Sequence, residues 1–207
     1  PTLAKTLRRG LEEAGLNRRI FGVDKAFAPA VEKNLQASGV ETVRCDVLEE
    51  GALEALPDAR NIVYMIGVKF GSTGNEPFTW AMNAYVPGIV ARRFRRSRIV
   101  AFSSGNVYPF VPASSTGATE ETEPGPVGEY AQSCLGRERV IQFFSTYCGI
   151  PSVIIRLNYA IDLRYGVLLD IAEKVRDGVP VDLAMGYANV IWQGDANNYI
   201  LQSFSLA

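Results

Sequence analysis

The stretch NIVYMIGV, residues 61–68, decides the fold class of this 207-residue chain. Its near-continuous apolar run is typical of a β-strand that is covered on both faces, as the strands of parallel sheets are. The runs RIVAFSS (98–104) and PSVIIRLNYAI (151–161) have the same character. Three such strands predict a parallel sheet with helices packed on both of its faces.

Helical patterns alternate with these strands. Leu3, Leu7 and Leu11 recur every four residues, which predicts an amphipathic helix at the start of the chain. Further helices are expected at 26–39, 48–59, 76–94 and 128–149, with short strands at 20–23 and 41–47. Regular alternation of this kind predicts an α/β fold with right-handed crossovers between parallel strands.

Composition excludes several classes of site and partner. The formal net charge is -1 and the chain contains no histidine, which argues against nucleic acid as a partner and removes histidine-based metal sites and Ser-His-Asp triads. No apolar run approaches the ~20 residues of a membrane span. The three cysteines have no metal-like spacing, so we expect no metal and a reducing cytoplasm as the compartment.

Acidic residues follow two of the short predicted strands. Asp24 ends the first, where a dinucleotide-binding unit keeps a carboxylate for the adenosine ribose hydroxyls. Its charge would repel a 2′-phosphate and favour NAD over NADP, although the neighbouring Lys25 weakens that preference. A turn-forming aspartate is the alternative. Asp46 could reach the adenine amino group, and Met65, Ile66 and Gly67 would let the cofactor approach the backbone.

No glycine-rich phosphate loop precedes the first helix within these residues. Such a loop lies roughly 20 residues before the ribose-binding acid. We therefore expect the first strand of the sheet and its glycine loop upstream of Pro1. That strand occupies the centre of a doubly wound sheet.

A second motif follows the strand at 98–104. The residues read Ser103-Ser104-Gly105-Asn106-Val107-Tyr108-Pro109, then Tyr130-Ala131-Gln132-Ser133-Cys134, then Arg156-Leu157-Asn158-Tyr159-Ala160. In these motifs the chain resembles the NAD-dependent epimerase/dehydratase family, the extended short-chain dehydrogenases/reductases. The similarity extends from Leu3 to about Asp195. It implies a Rossmann-type doubly wound parallel sheet with a remnant of a smaller C-terminal substrate lobe.

The resemblance assigns roles to individual residues. Ser104 would bond the substrate oxygen, Tyr130 would be the general acid/base, and both would be catalytic. Tyr130, Asn83 and Asn158 would join the nucleotide-binding residues as cofactor contacts, and Asn106 and Asn189 would join Ser104 in binding substrate. The implied cofactor is NAD, with NADP less favoured, and the implied substrate is a nucleotide sugar or a similar hydroxylated small molecule.

The same resemblance divides the chain. Residues 1–160 would form the NAD-binding domain, and residues 161–207 would be part of a substrate lobe whose segment Asn189 to Asp195 returns to the cofactor domain. A homodimer is compatible with the family but is not specified by any residue pattern.

One position departs from the family motif. Cys134 stands four residues after Tyr130, where the family keeps a lysine that lowers the tyrosine pKa and holds the nicotinamide ribose. A nucleophilic thiolate is not expected, because no histidine can activate it. Three hypotheses remain: an oxidoreductase acting on nucleotide sugars, a non-catalytic NAD(P)-binding sensor or scaffold, and an enzyme whose proton relay uses Arg137 or Glu129.

An arginine run lies where the predicted helix at 76–94 ends. Arg92, Arg93, Arg95, Arg96 and Arg98 fall within seven residues. Cations at a helix C-terminus interact favourably with the helix dipole, so a solvated face is the preferred interpretation. An anion-binding site is the alternative.

Overall fold

Helices and strands alternate along most of the chain in the computed structural model, which describes residues 1–69, 71, 73–184 and 186–207. The helices are α1 (Thr2–Glu13), α2 (Pro29–Gln36), α3 (Glu76–Trp80), α4 (Val86–Arg93), α5 (Glu129–Cys148), α6 (Val167–Arg176) and α7 (Gln193–Gln202). The strands are β1 (Phe21–Asp24), β2 (Glu41–Arg44), β3 (Asn61–Tyr64), β4 (Arg98–Ser104), β5 (Ser152–Leu157), β6 (Tyr159–Ile161) and β7 (Val190–Trp192). Within this described part, no helix combines the length and apolarity that crossing a membrane requires.

Every strand pair in the named sheets is parallel. One ladder joins β1 to β2, a second joins β3, β4 and β5, and a third joins β6 to β7. No ladder in the described residues connects β1 with β3. The order β2-β1, then β3-β4-β5, matches the two sides of a doubly wound sheet around its first strand. The predicted α/β parallel fold is confirmed.

The expected helix at 48–59 is wrong. This segment forms a series of turns in which backbone N–H groups donate three residues back, from Ala52 to Glu49 and from Leu56 to Leu53. Gly51 has a φ of 76° and interrupts any regular helix. Arg93 donates to the carbonyls of Leu53 and Leu56 at 3.0 and 2.6 Å. The turns therefore present backbone carbonyls to Arg93, a contact between distant segments that the apolar pattern of residues 48–59 did not predict.

The predicted helix at 76–94 contains a π-helical turn, Ala81–Tyr85, between α3 and α4. Pro87 follows it, and proline has no N–H to donate to a carbonyl of the preceding turn. Side chains satisfy two of those carbonyls instead. Tyr64 Oη donates to the oxygen of Met82 at 3.4 Å, and Arg137 Nε donates to the oxygen of Asn83 at 3.2 Å. The irregular turn is thereby fastened to β3 and α5.

Two apolar clusters hold the helices on the larger sheet. One contains Ile99 and Ala101 of β4 together with Val86, Val90 and residues of α5. The other contains Val100 of β4, Leu3 of α1, and Ala196 and Ile200 of α7. Successive residues of β4 therefore face opposite layers, and α7 packs in the same layer as α1.

A buried ion pair ties α5 to the centre of the sheet. Glu138 is 1% exposed and accepts from Arg156 of β5 at 2.8 Å and from the Ser103 hydroxyl of β4 at 2.6 Å. The Arg156 guanidinium also lies 4.7 Å from the centre of the Tyr108 ring. Hydrogen bonding to Glu138 raises the pKa of Arg156. Because Ser103 directly precedes Ser104, this network holds the end of β4 against α5 and thereby positions Ser104.

Replacement of Glu138 by glutamine removes the charge that offsets Arg156. Loss of one partner of a buried pair costs roughly 3–5 kcal/mol, and we expect Glu138→Gln near the lower bound because the Arg156 side chain is 17% exposed. Urea unfolding measures the change. Glu41→Gln, which breaks the exposed pair with Arg19, is the control and should leave the unfolding midpoint unchanged. Equal destabilisation by both variants would contradict the account.

Candidate functional site

The carboxyl ends of five parallel strands carry the predicted site residues. Asp24 is the last residue of β1, and Asp46 lies two residues after β2. Gly67 follows β3, Ser104 ends β4, and Asn158 directly follows β5. In open α/β sheets, ligands bind in the crevice outside these strand ends. Hydrogen-bonded register places Ser104 opposite Leu157, next to Asn158.

Ser104 and Tyr130 meet at the end of β4. The Ser104 side chain lies close enough to the Tyr130 phenol to lower its pKa, and Ser104 Oγ accepts the backbone N–H of Asn106 at 3.2 Å. Tyr130 lies in the first turn of α5 and is partly buried. Gly128 precedes that helix with a φ of 83°, a conformation that glycine tolerates best. The loop before α5 can therefore turn sharply into the helix and direct its first turn at the strand end.

Cys134 lies beneath Tyr130 on α5 and is fully buried. Burial is the main reason that the pKa of Tyr130 is raised to about 12, and the adjacent Cys134 raises it further. The nearby Ser104 side chain and the charge of Arg137 act in the opposite direction. Burial also raises the pKa of the Cys134 thiol. At neutral pH both groups therefore hold their protons, and the phenol can donate a proton but is a weak base.

Arg137 is a buried cation in the same cluster. It is 6% exposed, and its guanidinium donates to three neutral acceptors: Asn83 O at 3.2 Å, Asn83 Oδ1 at 2.7 Å and Phe102 O at 2.8 Å. No carboxylate among the described residues contacts it. A charge that is buried without a counterion is costly, and these neutral acceptors offset part of that cost. The sequence did not predict these bonds of Arg137 to Asn83 and Phe102. It indicated only that Arg137, seven residues after Tyr130, lies on the same face of the helix.

Asn83 connects three elements. Its Oδ1 accepts the Val68 N–H at 2.8 Å, and its Nδ2 donates to the oxygen of Val68 at 3.0 Å and to Ser133 Oγ at 2.9 Å. The side chain is fully buried and its polar atoms are bonded within the protein. Asn83 therefore fixes the loop after β3 and the first turns of α5. Its effect on a bound ligand would be indirect, through the position of this loop and of α5.

Gly67 lies where the loop passes over Arg137. A side-chain carbon at this position would overlap the Arg137 guanidinium and come within 2.9 Å of Asn83 Oδ1. The other side of Gly67 is exposed, as are Met65 and the Asn106 and Asn158 side chains. Gly105 packs against Asn158 in a comparable way, because a carbon added to Gly105 would overlap the Asn158 amide. Both glycines leave open backbone at the sheet edge.

The two aspartates differ in their contacts. Asp46 accepts Lys25 Nζ at 2.6 Å and the Leu48 N–H at 3.1 Å, and hydrogen bonding to Lys25 lowers its pKa. Asp24 is exposed, and its Oδ1 accepts only the Ala26 N–H, at 3.3 Å. Lys25 is thus drawn away from Asp24 toward Asp46. The Asp24 carboxylate is thus left without an ion pair among the described residues, and its bond to the Ala26 N–H is also the contact expected of a turn-forming aspartate.

The remaining predicted residues lie farther along the edge. Asn158 and Asn189 line one cavity of about 230 Å³ between β5, β7 and α7. The Tyr159 N–H donates to the oxygen of Asn189 at 3.2 Å, which joins the segment after β5 to that before β7. Lys69 Nζ lies 4.9 Å from the centre of the Tyr159 ring. Glu129 accepts Trp80 Nε1 at 2.6 Å, so its carboxylate is engaged outside the Tyr130 cluster.

Comparison with solved structures identifies enzymes with the same fold. The DesIV double mutant, a dTDP-glucose 4,6-dehydratase from Streptomyces venezuelae solved with NAD bound, matches with a TM-score of 0.82 and 18% identity over 99% of this chain and 68% of that one. UDP-glucuronic acid 4-epimerase from Bacillus cereus, solved with UDP-glucuronic acid and NAD, matches with a TM-score of 0.77 and 16% identity over 96% of this chain and 68% of that one. RMD from Pseudomonas aeruginosa, complexed with NADPH, matches with a TM-score of 0.70 and 19% identity over 91% of this chain and 74% of that one.

No protein-family model and no curated protein sequence matches the chain. The chain spans about two thirds of the length of the first two structures. At identities below 20%, the likeness establishes a shared Rossmann-like α/β fold.

Substitution of Gly67 tests the contact between the loop and Arg137. Gly67→Ala should destabilise the protein by about 1–3 kcal/mol, because the added carbon has no room beside the guanidinium. Thermal unfolding measures the change. Gly10→Ala is the matched control: Gly10 lies within α1 with no atom within 4 Å of the added carbon, and the substitution should stabilise by about 0.5–1 kcal/mol. Neutral Gly67→Ala would contradict the described packing.

Proposed function

We propose that the chain is an NAD-dependent oxidoreductase of the epimerase/dehydratase kind that acts on a nucleotide sugar or a similar hydroxylated substrate. The observation that carries this proposal is the position of Ser104 at the carboxyl end of β4 beside Tyr130 of α5, where the serine is close enough to lower the pKa of the phenol. A hydroxyl group and a proton donor at this edge can bond one substrate oxygen together. Enzymes with the same fold that bind NAD and nucleotide sugars support the choice of ligands.

The strand ends fit a dinucleotide. Asp24 would bond the adenosine ribose hydroxyls, since its carboxylate has no ion pair among the described residues. Asp46 would lie toward the adenine, and the exposed backbone of Met65, Ile66 and Gly67 would contact the cofactor. Tyr130 and Asn158 would face the nicotinamide end, while Asn83 would hold the loop that carries Gly67. Engagement of Lys25 by Asp46 favours NAD over NADP, because little positive charge is left for a 2′-phosphate at Asp24.

The chemistry of the protein groups follows from their protonation. NAD supplies a hydride acceptor when bound. Ser104 would bond the substrate oxygen and orient it toward Tyr130, with Asn106 and Asn189 as further substrate contacts. The phenol, with a pKa of about 12, is suited to donate a proton to the alkoxide that develops when a substrate carbonyl is reduced. Removal of a proton from a carbinol needs a lower pKa, and Arg137 is the one buried cation in the described cluster that acts in this direction.

The proposed division of the chain into residues 1–160 and 161–207 separates two functions, although the two parts pack against each other. The β6–β7 ladder connects the end of the first part to the segment at Asn189. Helix α7 then packs with α1 against β4. The return of the chain to the cofactor domain is supported by this contact, and residues between the two segments are the proposed remnant of the substrate lobe.

A non-catalytic NAD(P)-binding sensor or scaffold is the second candidate. It is favoured by one observation: the thiol of Cys134 is fully buried beside Tyr130 and carries no positive charge that could lower the phenol pKa. In this alternative Asp24 and Gly67 bind the cofactor, but Tyr130 transfers no proton. The oxidoreductase and the sensor would share the cofactor site, but only the oxidoreductase would convert a substrate.

Cofactor choice tests the role of Asp24. Asp24→Ala should weaken NAD binding and narrow the difference between NAD and NADP, since both the ribose contact and the repulsion of a 2′-phosphate are lost. Isothermal titration with each dinucleotide measures the two affinities. Asp177→Ala, at an exposed position beyond α6, is the control. An unchanged affinity ratio in Asp24→Ala would return Asp24 to a turn-forming role.

A charge at position 134 tests the role of Tyr130. Cys134→Lys should lower the pKa of Tyr130 by ~1–3 units, because an ammonium would replace the thiol beside the phenol. In wild type the rate should rise with pH toward about 12, and in the variant it should rise at correspondingly lower pH. The expected gain at neutral pH is ~10- to 1,000-fold, tenfold for each unit by which the pKa falls. The assay is the pH profile of NAD reduction with UDP- and dTDP-hexoses.

Two further variants complete this test. Cys134→Met adds bulk without charge and should not shift the profile. Tyr130→Phe should abolish turnover while NAD binding persists. Activity that survives Tyr130→Phe would exclude Tyr130 as the acid/base. A fast wild type that gains nothing from Cys134→Lys would indicate that Arg137 already provides the charge. NAD binding without turnover in wild type and in Cys134→Lys would favour the sensor.

A further inference from the structure

The arginine run at the start of β4 lines a cleft at the amino edge of the sheet. The cleft has a volume of about 570 Å³ and is formed by residues 58–60 and 93–97. Its lining contains four arginines and one aspartate, a net charge of +3, namely Arg60, Arg93, Arg95, Arg96 and Asp58. Pockets for small ligands commonly have volumes of ~300–1,000 Å³.

A rigid backbone frames this cleft. The turn after α4 is anchored by Phe94 and Ser97, which are 7% and 4% exposed. Ser97 Oγ donates to the oxygen of Ala59 at 2.6 Å, and the Arg98 N–H donates to the oxygen of Arg60 at 2.9 Å. The two walls of the cleft are therefore fixed to each other.

The arginines of the cleft fall into two groups. Arg93 is fully engaged: it binds the carbonyls of Leu53 and Leu56 and pairs with Asp58 at 2.7 Å, which neutralises the aspartate. Arg60, Arg95 and Arg96 are exposed, and their side chains make no hydrogen bond or ion pair with the described residues. The dipole of α4 accounts for a cation in its last turn, where Arg93 lies, but not for Arg60 on the opposite wall.

We propose that this cleft binds a small phosphorylated anion through its di- or triphosphate group. Guanidinium groups bind phosphate oxygens with paired hydrogen bonds. The three arginines without an ion pair lie on two walls that are fixed to each other, so their guanidinium groups can surround a phosphate group. The confined volume favours a small anion over an extended polyanion, and the overall charge of -1 does not attract nucleic acid.

This cleft is separate from the candidate reaction site. β4 begins at Arg98 beside the cleft and ends at Ser104, so its seven residues separate the two by about 20 Å. A phosphorylated ligand at the amino edge could be bound together with a dinucleotide at the carboxyl edge. The inference therefore does not depend on the proposed oxidoreductase activity.

Pyrophosphate is the probe that tests the cleft. Isothermal titration at about 0.15 M ionic strength, where the Debye length is about 8 Å, limits diffuse attraction. We expect saturable 1:1 binding that saturating NAD does not displace. The double variant Arg95→Gln/Arg96→Gln should weaken it at least tenfold and remain folded, because neither side chain makes a bond to the rest of the described protein.

The matched control removes the same charge elsewhere. Arg9→Gln/Arg139→Gln changes two exposed arginines on α1 and α5 and should leave pyrophosphate affinity within about twofold. Absence of saturable binding in the wild type would overturn the proposal. So would equal weakening by both double variants, which would indicate net charge alone, or displacement by NAD. Tight binding of single-stranded RNA without pyrophosphate binding would also overturn it.

Discussion

The buried contact between Asn83 and Arg137 organises the carboxyl edge of the larger sheet. Asn83 lies in the π-helical turn before α4, and Pro87 leaves its carbonyl without a helical donor. Arg137 donates to that carbonyl and to the Asn83 amide, and the same amide binds both backbone groups of Val68. One polar cluster thus positions the loop after β3, the end of β4 at Phe102 and the first turns of α5.

This cluster determines the electrostatics of the candidate site. The Arg137 guanidinium, 6% exposed and bonded to neutral acceptors, acts to lower the pKa of both Tyr130 and Cys134. Burial of the phenol nevertheless has the larger effect, and the pKa of Tyr130 is raised to about 12. The cation of this site lies one helical turn beyond Cys134, at a distance where it opposes the effect of burial without overcoming it. Proton donation by Tyr130 is therefore easier than proton abstraction.

The sequence predicted the parts of the molecule that depend on local pattern. Apolar runs predicted the buried strands, and motif spacing predicted that Ser104 and Tyr130 meet at the same strand end, where the serine lies close enough to affect the pKa of the phenol. Patterns could not predict contacts between distant segments. The turns at 48–59 depend on Gly51 and on Arg93, a residue 40 positions away from Leu53. One bond of Arg137 goes to the carbonyl of Asn83, to which Pro87, four residues later, has no N–H to donate. The engagement of Lys25 by Asp46 depends on the parallel pairing of β1 with β2.

Titration of Tyr130 by carbon-13 NMR, with the label on the phenol carbon and in the presence and absence of NAD, tests the central claim most directly. The account predicts a pKa of about 12 in the free protein, because the phenol is buried beside an uncharged thiol. Added NAD should lower it, since the positively charged nicotinamide would lie next to the phenol. A pKa near the ordinary value of ~10 that does not respond to NAD would contradict both the described environment of Tyr130 and its proposed place in the cofactor site.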